Sequence, residues 1–327
     1  MTKTKWSFYN IWNESLENRE ERELKPRHNI WASELGGSLV DRYLKMAGVQ
    51  PSNPPNPRSL RKFEAGNIWE WIVGLVLKRA GILLDEQEWV SFQYAGLPEV
   101  TGKIDFVAGG KPDWDKALMD IKDFGFPDFI TRVASDLVNE LAQKYPLGMD
   151  KIVLEIKSCS SFMFEKYETT GLPADHHALQ IFHYLKAKNL PEGHIVYVSK
   201  DDCRLLEIGV FNPSPLEELY RKDIETLFRY LKAKEQPPLE PAIDFNREQC
   251  KFYPNWRVMY SQYLTKLYGY KDQLEFETKY RPITAKWNRV AKRVIDGAKM
   301  TKLNLEVIEE IKKDYADFEQ VVKGVKK

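Results

Sequence analysis

Cysteine is scarce. Cys159, Cys203 and Cys250 stand far apart, with no C-x-x-C pair. That excludes a disulfide framework and a zinc site of four cysteines from this chain alone. The expected state is reduced and intracellular. Long apolar runs are missing as well: no stretch approaches 18 apolar residues, and the opening MTKTKWSFYN lacks an apolar signal core. The expectation is a cytoplasmic protein, of a cell or of an infected host cell, with no membrane partner. Net charge is almost nil, because 49 Lys and Arg oppose 48 Asp and Glu. Global charge therefore neither implies nor excludes nucleic acid, and any basic face must be local. No helicase motif, internal repeat or low-complexity segment is visible by inspection.

What is present supports a globular protein. At 43% hydrophobic and 13% aromatic over 327 residues, the chain can build one large α/β domain with additions. Residues 1–27 read as a charged N-terminal arm, with Trp6, Phe8, Tyr9 and Trp12 ahead of a mixed charged run. Residues 28–244 read as the main domain and 245–327 as a helical C-terminal extension. Within the main domain, a helix is expected from near Ser33, with Leu35, Leu39, Tyr43 and Met46 near one face. Gly36-Gly37 has no role in that reading. The prolines of residues 49–59 predict an extended loop, followed by a helix from about Leu60 to Ala80 that ends at Gly81. Residues 88–97 and 99–108 predict a hairpin, and KALMDIKDF at 116–124 a further strand. A helix at 127–145 is expected to carry a stripe of Ile130, Val133, Leu137 and Leu141. A hairpin is expected at 194–211, and an almost entirely helical chain beyond Pro213.

Four short patterns stand on these elements. FEAGNIWEW puts Gly66 and Glu70 one turn apart on a helix. VTGKIDF places Asp105 three residues after Gly102 on a strand. KIVLEIKS carries Glu155 and Lys157, which alternation sends to one face with Ile156 on the other. ALQIFHYL puts Gln180 and Tyr184 one turn apart. An acid beside an ammonium on an apolar strand is costly to desolvate, so it marks a structural ion pair or a site needing both charges.

In order, G-x-x-x-E, G-x-x-D, E-x-K and Q-x-x-x-Y resemble the RecB-like, λ-exonuclease-like branch of the PD-(D/E)XK nucleases, over roughly residues 30–210. The resemblance implies an α/β, restriction-endonuclease-like core, a mixed β-sheet flanked by helices. It implies a Mg²⁺-dependent (or Mn²⁺-dependent) deoxyribonuclease that processes DNA ends as an exonuclease, in recombination, repair or phage DNA metabolism. Asp105 and Glu155 would be metal ligands, with the Ile156 carbonyl and Glu70 completing the set. Lys157 would hold or help deprotonate the attacking water; Gln180 and Tyr184 would orient the substrate phosphate or Lys157. Many relatives carry histidine at the Glu70 position; glutamate makes the site all-oxygen and favours Mg²⁺. The iron–sulfur subgroup needs four cysteines, so no cluster is expected. DNA is the implied partner, with a recombinase or helicase as a further one.

Two alternatives stay open. Asp120 and Lys122 form a second D-x-K on the strand expected at 116–124; if Glu155 and Lys157 are the pair, residues 109–150 become an insertion. A catalytically silent nucleic-acid-binding or assembly subunit would keep the same fold. Two further features stand apart from the motifs. His176 and His177 are expected to face solvent. Lys286, Arg289 and Arg293, at i, i+3 and i+7 of a basic segment with Tyr280 and Trp287, are candidate DNA contacts, with a solvated helix face as the plain reading.

Overall fold

The computed structural model describes residues 7–17, 24–110, 112–213, 215–247 and 249–324. In chain order the elements begin with α1 (Phe8–Glu17), β1 (Ile30–Trp31), a 3₁₀ turn (Ala32–Glu34), α2 (Leu39–Met46) and α3 (Pro57–Arg79). Next come β2 (Leu83–Phe92), β3 (Val100–Gly110), α4 (Trp114–Asp123), α5 (Asp128–Lys144) and β4 (Met149–Cys159). Then follow α6 (Ser161–Thr170), α7 (Asp175–Lys188), β5 (Glu192–Ser199), β6 (Leu205–Phe211) and α8 (Leu216–Ala233). The chain ends with β7 (Ile243–Asn246), β8 (Lys251–Pro254), α9 (Trp256–Met259), α10 (Leu264–Tyr268), α11 (Gln273–Ile295), α12 (Lys302–Asp314) and α13 (Phe318–Gly324). Two compact units form. One holds α1, Pro26–Gly36 and Asn56–Lys234; the other holds Gly37–Pro55 and residues 235–324. Trp6 and residues 18–23 of the N-terminal charged run lie outside the described residues.

The first unit is a mixed sheet, ordered β1-β3-β4-β5-β6, with β2 also paired to β3. The β1–β3 and β4–β5 pairs are parallel; β2–β3, β3–β4 and β5–β6 are antiparallel. Alternation on β4 decides which helix covers which face. Leu154 and Ile156 pack with Leu77, Trp69 and Val73 of α3. Val153 is paired with Gly193, where a Cβ would meet Leu185 and Ile181 of α7 at 3.0 and 3.1 Å. So α3 covers one face and α7 the other. α3 approaches closely because it carries glycine where the sheet is near: a Cβ on Gly74 would stand 2.8 Å from the Phe106 ring.

The structure departs from the sequence reading in five places. The strand expected at 88–97 is β2 at Leu83–Phe92, five residues earlier. The helix expected from Ser33 is a 3₁₀ turn; α2 starts at Leu39, where the Ser38 side chain accepts from the Asp41 N–H. Gly36 explains the break, with φ +67° and room for no more than contact against Leu179 (3.2 Å) and the His176 backbone (3.4 Å). The strand expected at 116–124 is helix α4, capped by the Asp113 side chain on the Lys116 N–H. Ala117 and Ile121 bury against Ala134 and Val138 of α5, so the segment is half of a helical hairpin. The α5 stripe is misplaced as well: Val133 is 64% exposed, while Ala134 and Val138 face inward. Finally, β7 and β8 form a hairpin in the region read as helical.

The second unit builds its core on that hairpin. Phe245 and Phe252 stack at 4.4 Å, and Trp287, Ile308, Ile311 and Phe318 close around them. Asn288 of α11 accepts from the Phe252 N–H (2.7 Å) and donates to the Phe252 carbonyl (2.9 Å), satisfying an edge of β8. α2 belongs here, and its Asp41 is buried.

Candidate active site

The site starts from a gap in strand pairing. β2 takes one edge of β3 along residues 100–108, so β1 and β4 must share the other. β1 pairs with Val100 and Thr101, and β4 pairs from Phe106 onward. Residues 102–105 therefore face no strand on that edge. Side chains fill the gap. The Tyr184 hydroxyl donates to the Lys103 carbonyl at 2.9 Å, and Gln180 donates to that hydroxyl at 3.0 Å. Gly102 lets the tyrosine in: a Cβ there would stand 2.6 Å from the Tyr184 ring and 2.6 Å from Ala32. The glycine of G-x-x-D and the tyrosine of Q-x-x-x-Y are two halves of one contact.

The pleat also breaks here. Gly102 and Phe106 would share a face on a regular strand, yet Gly102 abuts α7 and Phe106 abuts α3. Asp105 lies in the break. Continuing the β3–β4 register by one step would set it opposite Glu155, but there the Asp105 Oδ2 accepts from the Ile156 N–H at 2.8 Å. A side chain has replaced a main-chain carbonyl as the ladder's acceptor. Across β3, the register sets Gln87 opposite Asp105, and pairing lapses there too. Gln87 has φ +55°, a left-handed conformation unusual for a non-glycine in a strand. Its amide donates to the Glu70 carboxylate.

Glu155 is 1% exposed. Its Oε1 is bonded by the Lys157 ammonium at 2.5 Å, and Lys157 is a quarter exposed. Its Oε2 is buried without a hydrogen-bond partner. Burial pushes the Glu155 carboxyl up to about 8, Lys157 opposes the shift, and Asp105 and Glu70 add to it. Asp105 is raised by burial against the pull of Lys157 and the Ile156 N–H. Glu70 is raised to about 7 by burial and by Asp105, with Lys103 and Lys157 opposing. Burial alone would lower the Lys157 ammonium, but Glu155 and Asp105 hold it above its usual range. Three mutually repelling carboxyls thus share two lysines. Such a cluster is costly unless positive charge enters it.

The expected residues fall into groups. Glu70, Asp105, Glu155 and Lys157 are electrostatically coupled to one another. Gln180 and Tyr184 are beside them, but the bonds they make tie α7 to β3; they are not bonded to Lys157. Asp120 and Lys122 are exposed on α4, and two positions apart on a helix they point in different directions. Lys286, Arg289 and Arg293 lie on α11 of the second unit. Lys286 pairs with Glu310 at 3.1 Å, Arg293 donates to the Lys299 carbonyl at 2.8 Å, and Arg289 is exposed.

His177 corrects the solvent-facing expectation. It is half-buried, its Nδ1 is 2.9 Å from the Tyr197 hydroxyl, and burial lowers it to about 2, with His176 and Lys157 adding. Two residues were missed by sequence. Lys103 is a strand residue in a motif read only for Gly102 and Asp105, and no sequence signal marks it. Gln87 stands in an acidic, alternating strand where a left-handed residue has no local signature.

No protein-family profile and no curated protein matches the sequence. Among solved structures, the chain is similar to SSO0001, with 16% identity over 72% of this chain and 91% of that one, at a TM-score of 0.40. It is also similar to an alkaline exonuclease from Laribacter hongkongensis, LHK-Exo, with 11% identity over 69% of this chain and 93% of that one, at 0.38. The LHK-Exo complex with dAMP gives 10% identity and 0.39. The chemistry of the site therefore rests on its own residues. Among the described residues, no helix is long and apolar enough to cross a membrane.

Proposed function

We propose that this chain is a Mg²⁺-dependent nuclease that hydrolyses phosphodiester bonds in DNA, working at DNA ends as an exonuclease. The observation that carries the reading is Glu155, buried to 1% exposure with one oxygen on Lys157 and the other unpartnered. A structural carboxylate at that depth needs all its acceptor capacity filled. An open oxygen beside two further raised carboxyls would suit a divalent cation, with Asp105, Glu155 and Glu70 as its carboxylate ligands once drawn together around it, and the Ile156 carbonyl as a further oxygen donor. The donor set is all oxygen, which suits Mg²⁺, or Mn²⁺ in its place. When bound, such an ion polarises the phosphate and lowers the pKa of a coordinated water.

The chain's own residues do the rest. Lys157, a quarter exposed, places its ammonium where an incoming phosphate would be neutralised and a water held. Asp105 is fixed by the Ile156 N–H, so one of its oxygens is oriented by the backbone of the strand that bears Glu155. Gln87 orients Glu70. Tyr184 and Gln180 pin β3 at Lys103, two residues from Asp105.

One observation favours a second reading, a catalytically silent DNA-binding or assembly subunit. Among the described residues, no three His, Cys, Asp or Glu side chains surround a single point in ligating positions. The assay that decides uses linear and circular DNA, single- and double-stranded, with and without Mg²⁺. Mg²⁺-dependent loss of linear DNA, with circular DNA spared, supports the exonuclease. Cleavage of circles makes the enzyme an endonuclease. No cleavage of any form, with DNA binding retained, selects the silent subunit.

A further inference from the structure

Beside Glu70 lies a cleft of about 510 Å³, lined by Asn67, Trp71, Gly74, Lys103 and Phe106 among others. That size falls among ligand-sized clefts, about 300–1,000 Å³. One feature of it is left unexplained by the metal site. Trp71 is 68% exposed, although tryptophan gains more than most side chains from burial. Gly74 and Phe106, both largely buried where α3 packs on the sheet, are the inner part of the lining. Of the two lysines that line the cleft, Lys78 pairs with Glu86 at 2.8 Å. Lys103 is exposed, and lies within Coulomb range of Glu70 and Asp105.

We propose that this cleft is a subsite for one unstacked nucleotide of a DNA strand, its base on the Trp71 ring and its phosphate on Lys103. The proposal rests on the nuclease reading for its choice of DNA. An exposed aromatic plane and an exposed cation lining one cleft match a base joined to a phosphate. A base inside a duplex cannot offer its face to Trp71, so the subsite selects unpaired or frayed ends. A protein partner would be served by the aromatic but not by a lysine set between two carboxylates. Lys103 also sits two residues before Asp105, so a phosphate held there belongs to a nucleotide next to the reacting bond.

The test is DNA binding in EDTA, which separates it from cleavage. The probe is a short single strand carrying a fluorescent adenine analogue that is quenched on stacking. Trp71→Ala should abolish the quenching and weaken single-strand binding by about tenfold or more, the range of one lost stack. Trp71→Phe should stay within about threefold of wild type, because a smaller ring still stacks. Lys103→Ala should lower the salt slope by about 0.7, the value of one single-strand phosphate contact. Affinity for a blunt duplex should not change in Trp71→Ala. Equal affinity and quenching in Trp71→Ala, equal losses on duplex, or no quenching by the wild type would each overturn the subsite. If Trp71→Ala binds normally while the wild type cleaves DNA with Mg²⁺, the subsite falls and the nuclease stands. If Trp71-dependent quenching occurs without cleavage, the subsite stands and the catalytic reading falls.

Discussion

Each compact unit buries a carboxylate, and the two differ in how it is satisfied. In the C-terminal unit, Asp41 is 7% exposed. Its Oδ1 accepts from the Ser261 hydroxyl at 2.7 Å and its Oδ2 from the Gln262 N–H at 3.0 Å. In the sheet unit, Glu155 has one oxygen on Lys157 and one with nothing. Burial raises both carboxyls, so the direction of the shift does not separate them. The partners do. Asp41 is a structural junction that ties α2 to the turn at Ser261 and Gln262. Glu155 keeps one acceptor open beside the point where the β3–β4 ladder breaks.

That contrast predicts opposite phenotypes. The largest effect belongs to the sheet unit: Glu155→Ala or Asp105→Ala should cut cleavage by about a thousandfold or more, several kcal/mol of lost transition-state stabilisation. Thermal unfolding should show both variants folded, and Asp120→Ala should cleave as wild type. Loss in Asp120→Ala with full activity in Glu155→Ala would break the comparison outright. Asp41→Ala should do the reverse, losing about 2–3 kcal/mol of stability because the Ser261 and Gln262 donors are stranded. Urea titration measures it.

A third buried group sharpens the contrast through pH. His183 is 0% exposed, with Nδ1 2.9 Å from the Tyr220 hydroxyl, and burial lowers it to about 4. The unfolded chain, with a pKa near 6.5, binds the proton first as pH falls, so this histidine's contribution to stability is complete above pH 6.5 and is lost toward pH 4. The loss is on the order of 3 kcal/mol. His183→Gln should flatten the stability profile in that window and leave it unchanged above it.

Smaller effects follow. Gln87→Ala should lower cleavage by about tenfold, roughly 1.4 kcal/mol, by releasing Glu70, with little change in duplex affinity. Replacing Lys286, Arg289 and Arg293 together should reduce the salt slope of DNA binding by a little under one unit per phosphate contact, about 0.9 on duplex. Because Lys286 is paired with Glu310 and Arg293 bonds Lys299, the expected drop is closer to one contact than three.

The contrast also shows what a sequence can carry. Strands β3 and β4 and helices α3 and α7 were legible because each combines a long apolar pattern with a punctuating glycine or proline. Gly36 and Gly102 were visible as letters, but their reasons, Leu179 and Tyr184, come from segments far along the chain. The 116–124 segment misled because a short apolar-polar run fits strand and helix alike; only its pairing with α5 decides. Gln87, Lys103 and the open oxygen of Glu155 are products of tertiary packing. Glu155 is marked in the sequence by Lys157 two residues on, whereas the bonds that bury Asp41 come from Ser261 and Gln262, far along the chain.

The most direct test is a calorimetric titration of Mg²⁺ into wild type, Glu155→Gln and Asp41→Asn, without DNA. If Glu155 is held open for a cation, wild type and Asp41→Asn bind Mg²⁺ with similar affinity, and Glu155→Gln loses binding. Equal Mg²⁺ binding in wild type and Glu155→Gln, or none in wild type, would contradict the account.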